Sequence, residues 1–285
     1  MSDSKPLTAV NIFSVSYSGS TWLNMLLGSH PSIFSIGEIK AILRFNRPFC
    51  SFHGENCPLW SQFVYPGGDN SFRQIQQMTG LDILVANNSR KLLHEERETG
   101  IRPRFIHLIR DGRAVTASYL RKHPCDTVWT AARRWAHDVR RNKRLMRRQP
   151  KADVTTVHYE RLVDDTETEM RRLCAWLQID FDPRQLEYWK HIDHLLGGNK
   201  GTLTLVAEAQ GLTKLPPTPA QKADHDPNRP AWDTSFYRGA DPSQFRDDRW
   251  KKQLTTGQCR IFAIAAGWLN RRLGYGALLD TSGRN

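Results

Sequence analysis

Cysteine is scarce in this chain: there are five, at positions 50, 57, 125, 174 and 259 of 285. An odd, sparse set in a long chain argues against a disulfide framework, and without a CxxC pair nothing points to zinc. Cys50 and Cys57 form the one close pair, open to two readings: plain packing, or a bridge or redox couple. No window approaches about 18 uninterrupted apolar residues, so no transmembrane helix is expected. The opening MSDSKPLTAV lacks the apolar core of a signal peptide, and a cytoplasmic location is the expectation. No lysine lies between Lys5 and Lys40. That removes the G-x-x-x-x-G-K-[ST] loop of nucleotide triphosphatases from the early part of the chain, and disfavours kinase or ATPase chemistry. The aromatic–basic interleaving that stacks RNA bases is missing too.

What is present is positive charge and enough apolar material for a core. Lys and Arg number 41 against 29 Asp and Glu, a formal charge of +12. The partner is therefore expected to be anionic, either nucleic acid or a small molecule with several phosphates. Hydrophobic residues make up 39% of the chain, with nine tryptophans, which excludes general disorder.

Short apolar runs alternate with helical patterns. Strands are expected at Val10–Val15, Ser32–Ile36, Leu81–Ala86, Arg104–Ile109 and Val154–Tyr159. Helices are expected at Thr21–Leu27, from 90 to about Glu98, at Arg113–Arg121, across 126–148, at Asp165–Leu177 and at Thr255–Leu273. On the 126–148 helix, Trp129, Ala132, Ala136 and Val139 should share a buried face. Strands that are apolar throughout and alternate with helices indicate an α/β fold: a parallel sheet with helices on both faces, in three layers. A single domain over 1–285 is the preferred partition. Within it, 1–8 is expected to be a flexible start, 44–75 an irregular insertion, and 206–240, with its five prolines, a mobile loop.

Two segments carry chemistry. The first, Ser16-Tyr17-Ser18-Gly19-Ser20-Thr21-Trp22, lies between a strand and a helix, at the sheet edge where such folds bind ligands. Amides at a helix N-terminus suit phosphate or sulfate, Gly19 permits close approach, and Ser18, Ser20 and Thr21 offer hydroxyls. A simple N-cap is the plainer alternative. The second is Ile109-Arg110-Asp111-Gly112-Arg113-Ala114-Val115-Thr116-Ala117-Ser118. An arginine ending a buried strand meets either an anion, onto which it can fork two bonds, or an acid such as Asp111 in a local turn.

Together these segments resemble the sulfotransferases that use 3′-phosphoadenosine-5′-phosphosulfate (PAPS), a family with a P-loop-like three-layer α/β fold. Tyr17-Ser18-Gly19-Ser20-Thr21-Trp22-Leu23 resembles the family's [KR]-S-G-T-T-[WL]-L loop, which receives the 5′-phosphosulfate. Arg110-Asp111-Gly112-Arg113-Ala114-Val115-Thr116-Ala117-Ser118 resembles R-D-P-R-A-x-x-x-S, which holds the 3′-phosphate, with Gly112 for proline. His158-Tyr159-Glu160-Arg161-Leu162-Val163, Gly197-Gly198-Asn199 and Arg249-Trp250-Lys251-Lys252-Gln253-Leu254 extend the likeness over most of the chain outside 206–240, and Cys50 to Trp60 is similar to a segment of some bacterial-type members.

The resemblance implies a PAPS-dependent transferase that moves a sulfuryl group to an acceptor hydroxyl and releases 3′-phosphoadenosine-5′-phosphate (PAP). Tyr17, Ser18, Gly19, Ser20 and Thr21 would surround the 5′-phosphosulfate, Arg110, Ser118 and Lys122 the 3′-phosphate, and Tyr159 would lie by the nucleotide. Glu38 matches the general base of the family's glutamate-using branches, with a salt bridge as its alternative role. Tyr17 brings no positive charge where the family has Lys or Arg. Arg90, in a stretch similar to the family's D-x-S-K region, is the candidate to supply it, the alternative being an exposed helix start.

His30 reads as a structural helix-end residue, Trp22 as a packing residue, and His53, His191 and His194 as remote alternatives for the base. No metal is expected, because the donor is already activated and no ligand cluster stands out. The partner expected is a small-molecule or glycan acceptor, with neither nucleic acid nor membrane. The eight Arg and Lys residues of 133–148 read as a solvated face, an attractor of acidic glycans, or a nucleic-acid surface. Two other functions stay open: a silent PAPS/PAP-binding protein and a basic nucleic-acid-binding protein.

Overall fold

The computed structural model describes residues 6–39, 48–64, 71–87, 100–217, 234–243 and 246–276. Five strands form one parallel sheet in the order β2-β3-β1-β4-β5. They are β1 (Leu7–Ser14), β2 (Ile33–Gly37), β3 (Ile83–Asn87), β4 (Ile101–Ile109) and β5 (Val154–His158). Among the helices are α1 (Ser20–Gly28), α2 (Ser71–Thr79), α3 (Gly112–Lys122), α4 (Val128–Met146), α5 (Tyr159–Asp164), α6 (Thr166–Leu177), α7 (Lys200–Ala209), α8 (Trp250–Gln253) and α9 (Thr256–Arg272). The α/β architecture expected from the apolar strand runs is the one observed.

The chain divides into two compact units, one made of residues up to 13, 20–106 and 165–245, the other of 14–19, 107–164 and 246–285. In the first, β3 is buried at every position and sits between β1 and β2, so its Ile-Leu-Val-Ala run has apolar neighbours on both faces. Register is regular from Thr8 opposite Ile83 to Ile12 opposite Asn87. Helix α1 covers this region with Leu23, Met25, Leu26 and Leu27 buried. A buried polar link joins it to the strands: the Asn24 amide donates to Asn87 Oδ1 at 3.1 Å, and the Ser35 hydroxyl donates to Asn24 Oδ1.

In the second unit, α4 and α9 pack Ala132, Trp135, Ala136 and Val139 against Phe262, Ala266 and Leu269. Both helices open with capping boxes, at Thr127/Thr130 and Thr255/Gln258, which satisfy amides that a helix start leaves unpaired.

Four expectations need correction or limits. Trp129 is 42% exposed beneath the Arg133 guanidinium, and the buried face of α4 runs through Val128 and Trp135 instead. Helix α2, unmarked in the sequence reading, begins inside the segment expected to be irregular. Helix α7 reaches Ala209, with Val206 and Ala207 buried, so the first four residues of the expected mobile loop are ordered helix. The charged helix expected beyond residue 90 lies outside the described residues.

Candidate functional site

Strand β1 hands over to α1 through a turn of only five residues. The Ser18 amide closes it on the Val15 carbonyl at 3.2 Å, so that amide is used internally rather than facing outward as expected. Tyr17 and Gly19 both have left-handed backbones, φ +70° and +89°. For tyrosine that is an uncommon state. Its ring is anchored by packing: it meets Tyr119 edge-on at 6.3 Å and lies against the α4–α9 core, and burial next to Tyr119 pushes its hydroxyl pKa up. Gly19 is required twice over. Besides its backbone angle, a Cβ there would fall 2.5 Å from the Tyr159 ring.

Arg110 ends β4 in a buried position. Asp111, the next residue, caps α3 by accepting the Arg113 amide at 2.8 Å and is gripped by the Arg113 guanidinium at 2.6 Å. The local Arg110–Asp111 pairing considered from sequence is therefore not Arg110's arrangement. Instead Nη1 donates to the Tyr17 carbonyl at 3.0 Å and Nη2 to the Asp247 carbonyl at 2.7 Å, with the Asp247 carboxylate at 3.4 Å. The guanidinium lies 4.3 Å from the centre of the Tyr159 ring. Burial opposes the Asp247 charge, but the Arg249 hydrogen bond and the nearby Arg110 hold the carboxyl below its usual range. Among the described residues the buried Arg110 Nε has no hydrogen-bond partner, a donor that a phosphate oxygen would satisfy.

Ser118 is buried two turns along α3, where its hydroxyl accepts from Arg121 Nη2 at 2.8 Å. Arg121 also donates to Gln253 Oε1. Lys122 is half-buried one residue further. The loop backbone, Arg110, the Tyr159 ring and Asp247 thus form one contact cluster, with an unsatisfied cationic donor and a glycine lying flat against an aromatic face. The Arg110 Nε is the group of this set that could hold a phosphate oxygen.

Gly112, where the resembled motif has proline, is fixed by its surroundings. Its amide donates to Asn270 Oδ1 at 2.9 Å, and a Cβ would fall 2.7 Å from both Phe262 and Trp135. Proline suits the first position of most helices because the amide there is unpaired. Here the amide is in use and the space is filled.

In the first unit, Thr21 and Glu38 share a neighbour. Thr21 Oγ1 accepts the Asn199 amide at 2.9 Å. The Glu38 amide donates to the Leu196 carbonyl at 2.7 Å, and its carboxylate lies along Gly197, where a Cβ would be 3.1 Å from Oε2. The Leu196–Asn199 turn therefore backs both residues. Glu38 itself is exposed. Ser20 opens α1 half-buried. Arg90 lies outside the described residues.

His30 has the structural role expected of it: Nδ1 accepts the Ser32 amide at 3.0 Å and Nε2 meets the Asp180 carbonyl at 2.8 Å. Trp22 packs edge-on against Tyr188. His191 is exposed, while His53 and His194 sit together, 5.1 Å between ring centres. Sequence reasoning missed Asp247 and Arg121. The signal for Asp247 was the acid pair Asp247-Asp248 directly before Arg249-Trp250; Arg121 stood one turn from Ser118.

Residues 102–183 match the family model described as the sulfotransferase family. Among solved structures, the sulfotransferase domain from the Synechococcus PCC 7002 olefin synthase is 18% identical with a TM-score of 0.55, over 97% of this chain and 98% of that one. The sulfotransferase domain from the curacin biosynthetic pathway is 20% identical with a TM-score of 0.53, over 96% and 99%. No curated protein matches the chain in sequence. None of the described helices is long and apolar enough to cross a membrane. The chain has the sulfotransferase fold, and its segment 102–183 matches the sulfotransferase family.

Proposed function

We propose that the protein transfers a sulfuryl group from PAPS to an acceptor hydroxyl, with Glu38 as general base. The observation that carries this reading is the Leu196–Asn199 turn, which donates the Asn199 amide to the Thr21 hydroxyl and accepts the Glu38 amide at the Leu196 carbonyl. In the reaction the acceptor oxygen attacks sulfur, and its proton passes to the Glu38 carboxylate. The bond from sulfur to the 5′-phosphate bridging oxygen breaks, leaving a sulfate ester and PAP. A base within hydrogen-bond reach of the attacking hydroxyl and donors aimed at the leaving phosphate are the two requirements.

The loop's Ser18, Ser20 and Thr21 hydroxyls would orient the 5′ end, while the Tyr17 ring stays packed against Tyr119. Arg110, through its buried Nε, and Ser118 with Arg121 and Lys122 would meet the 3′-phosphate. Tyr159, buried against Gly19 and beneath the Arg110 guanidinium, would hold that arginine beside the nucleotide. Asp247 fixes the Arg110 guanidinium from the opposite partner set, which limits how far it must reorganise on binding. The test is labelled-sulfuryl transfer from PAPS across a panel of alcohols, phenols and sugars. Turnover on any of them supports the enzyme. PAP binding without transfer to any acceptor would favour a silent nucleotide-binding protein, a reading to which the uncharged Tyr17 lends weight.

A further inference from the structure

Four side chains outside the nucleotide cluster converge in the first unit. Cys50, His53, Cys57 and His194 each offer a ligand atom, and these atoms lie within 4.8 Å of one another. Cys50 Sγ is 3.5 Å from His53 Nδ1, and Cys57 Sγ is 3.2 Å from His194 Nδ1. Zinc bonds of roughly 2.3 Å to sulfur and about 2.0–2.1 Å to nitrogen put the corners of a tetrahedron ~3.3–3.8 Å apart. The two paired separations lie near that range, and closing the widest, at up to 4.8 Å, takes a side-chain movement of about 1 Å.

The surroundings are those of a metal site rather than of four residues packed by chance. The His53 amide donates to Cys50 Sγ at 3.4 Å and the Trp60 amide to Cys57 Sγ at 3.5 Å, which fixes where both sulfurs point. The second ring nitrogen of His194, Nε2, faces the Asp193 carboxylate at 3.5 Å, which leaves Nδ1 as the ligand atom and fixes the ring. Trp60 Nε1 donates to the His194 carbonyl at 2.6 Å, locking the backbone on the far side.

We propose that Cys50, His53, Cys57 and His194 bind one Zn²⁺ in a closed, structural Cys₂His₂ site. Binding releases the two thiol protons to solvent and leaves no open coordination position, so the ion has no substrate to activate. It staples chain segments 137 residues apart, Cys57 to His194. The stapled segment continues into the turn that backs Glu38. Ser51 donates its amide to the Leu195 carbonyl at 2.8 Å and its hydroxyl to the Gly197 carbonyl at 2.9 Å, and Cys50 bridges to Leu196. The sequence reading expected no metal because the ligand pattern, C-x₂-H-x₃-C with a distant histidine, has no CxxC and its fourth member lies far along the chain. The proposal stands independently of sulfuryl transfer.

The test uses the full chain, purified without chelator under reducing conditions, with metal content read by mass spectrometry and cobalt titration read by absorbance. About one zinc per chain is expected, and Co²⁺ in the zinc-stripped protein should give tetrahedral visible bands with a thiolate-to-cobalt band in the near ultraviolet. His53→Gln alters an exposed ring and should leave the protein folded, yet weaken zinc at least about 100-fold, since losing even an outer partner of a ligand costs 10–100-fold. Zinc far below one equivalent with no cobalt spectrum would overturn the site. So would a Cys50–Cys57 disulfide in the freshly purified chain, or unchanged zinc affinity in His53→Gln.

Discussion

The Tyr159 ring lies where a side chain at Gly19 would have to go, 2.5 Å from its Cβ position, and the same ring carries the Arg110 guanidinium 4.3 Å from its centre. One aromatic plane therefore ties the two motifs that sequence separates by about ninety residues. The loop glycine, the strand-end arginine and the first residue of α5 form a single unit, and the chemistry proposed follows from that.

Glu38→Gln removes the proton acceptor while keeping the amide bond to Leu196 and nearly the same volume along Gly197. PAP affinity should stay within about twofold of wild type, and turnover should fall by roughly 100-fold or more. Steady-state transfer assays set beside PAP titrations check both halves. A fully active variant would place the base elsewhere.

Gly112→Pro restores the residue of the resembled motif and should nevertheless destabilise this protein. The substitution removes the donor to Asn270 and forces ring atoms against Trp135 and Phe262. The loss should be at least about 2 kcal/mol from overpacking and a stranded buried amide oxygen. Gly112→Ala, which keeps the amide, should cost less. Urea denaturation of the two variants ranks them, and equal stability of Gly112→Pro and wild type would refute the packing account.

Much of this was legible in sequence because the strands are nearly pure apolar runs and the two motifs sit at their ends. Ile83–Asn87 and Ile101–Ile109 fall within a few residues of where their composition put them. Helix α2 was missed because only Phe72 and Ile75 of its apolar stripe are deeply buried, too few to set a period in a polar stretch. Trp129 misled because a tryptophan at helical spacing reads as core, whereas here it stands under Arg133 on the solvent side. Asp247 and His194 are contacts across more than 130 residues, and no local spacing encodes them.

Acid should weaken the fold through His107. Burial in β4, with Lys143 and His158 nearby, lowers its pKa from 6.5 to about 4. The unfolded chain then binds the proton first, so this stabilisation is complete above about pH 6.5 and is lost as pH falls toward 4. The shift corresponds to about 3 kcal/mol. Glu160, whose pKa burial raises, works the other way and offsets part of the loss. Stability measured from pH 7 to pH 4 should decline less steeply in His107→Gln than in wild type. An identical slope would show that His107 does not titrate in this window.

In the function proposed here, Arg110 grips a phosphate of PAP. Calorimetric titration of PAP into wild type and Arg110→Ala reads this contact, with circular dichroism checking that the variant folds; the 2.8 Å bond from Arg249 to Asp247 does not involve Arg110. Saturable binding near one PAP per wild-type chain, weakened in the variant by about 2–4 kcal/mol, roughly 30- to 1,000-fold, is the predicted result. Equal affinity in a folded variant, or no PAP binding by the wild type, would contradict it.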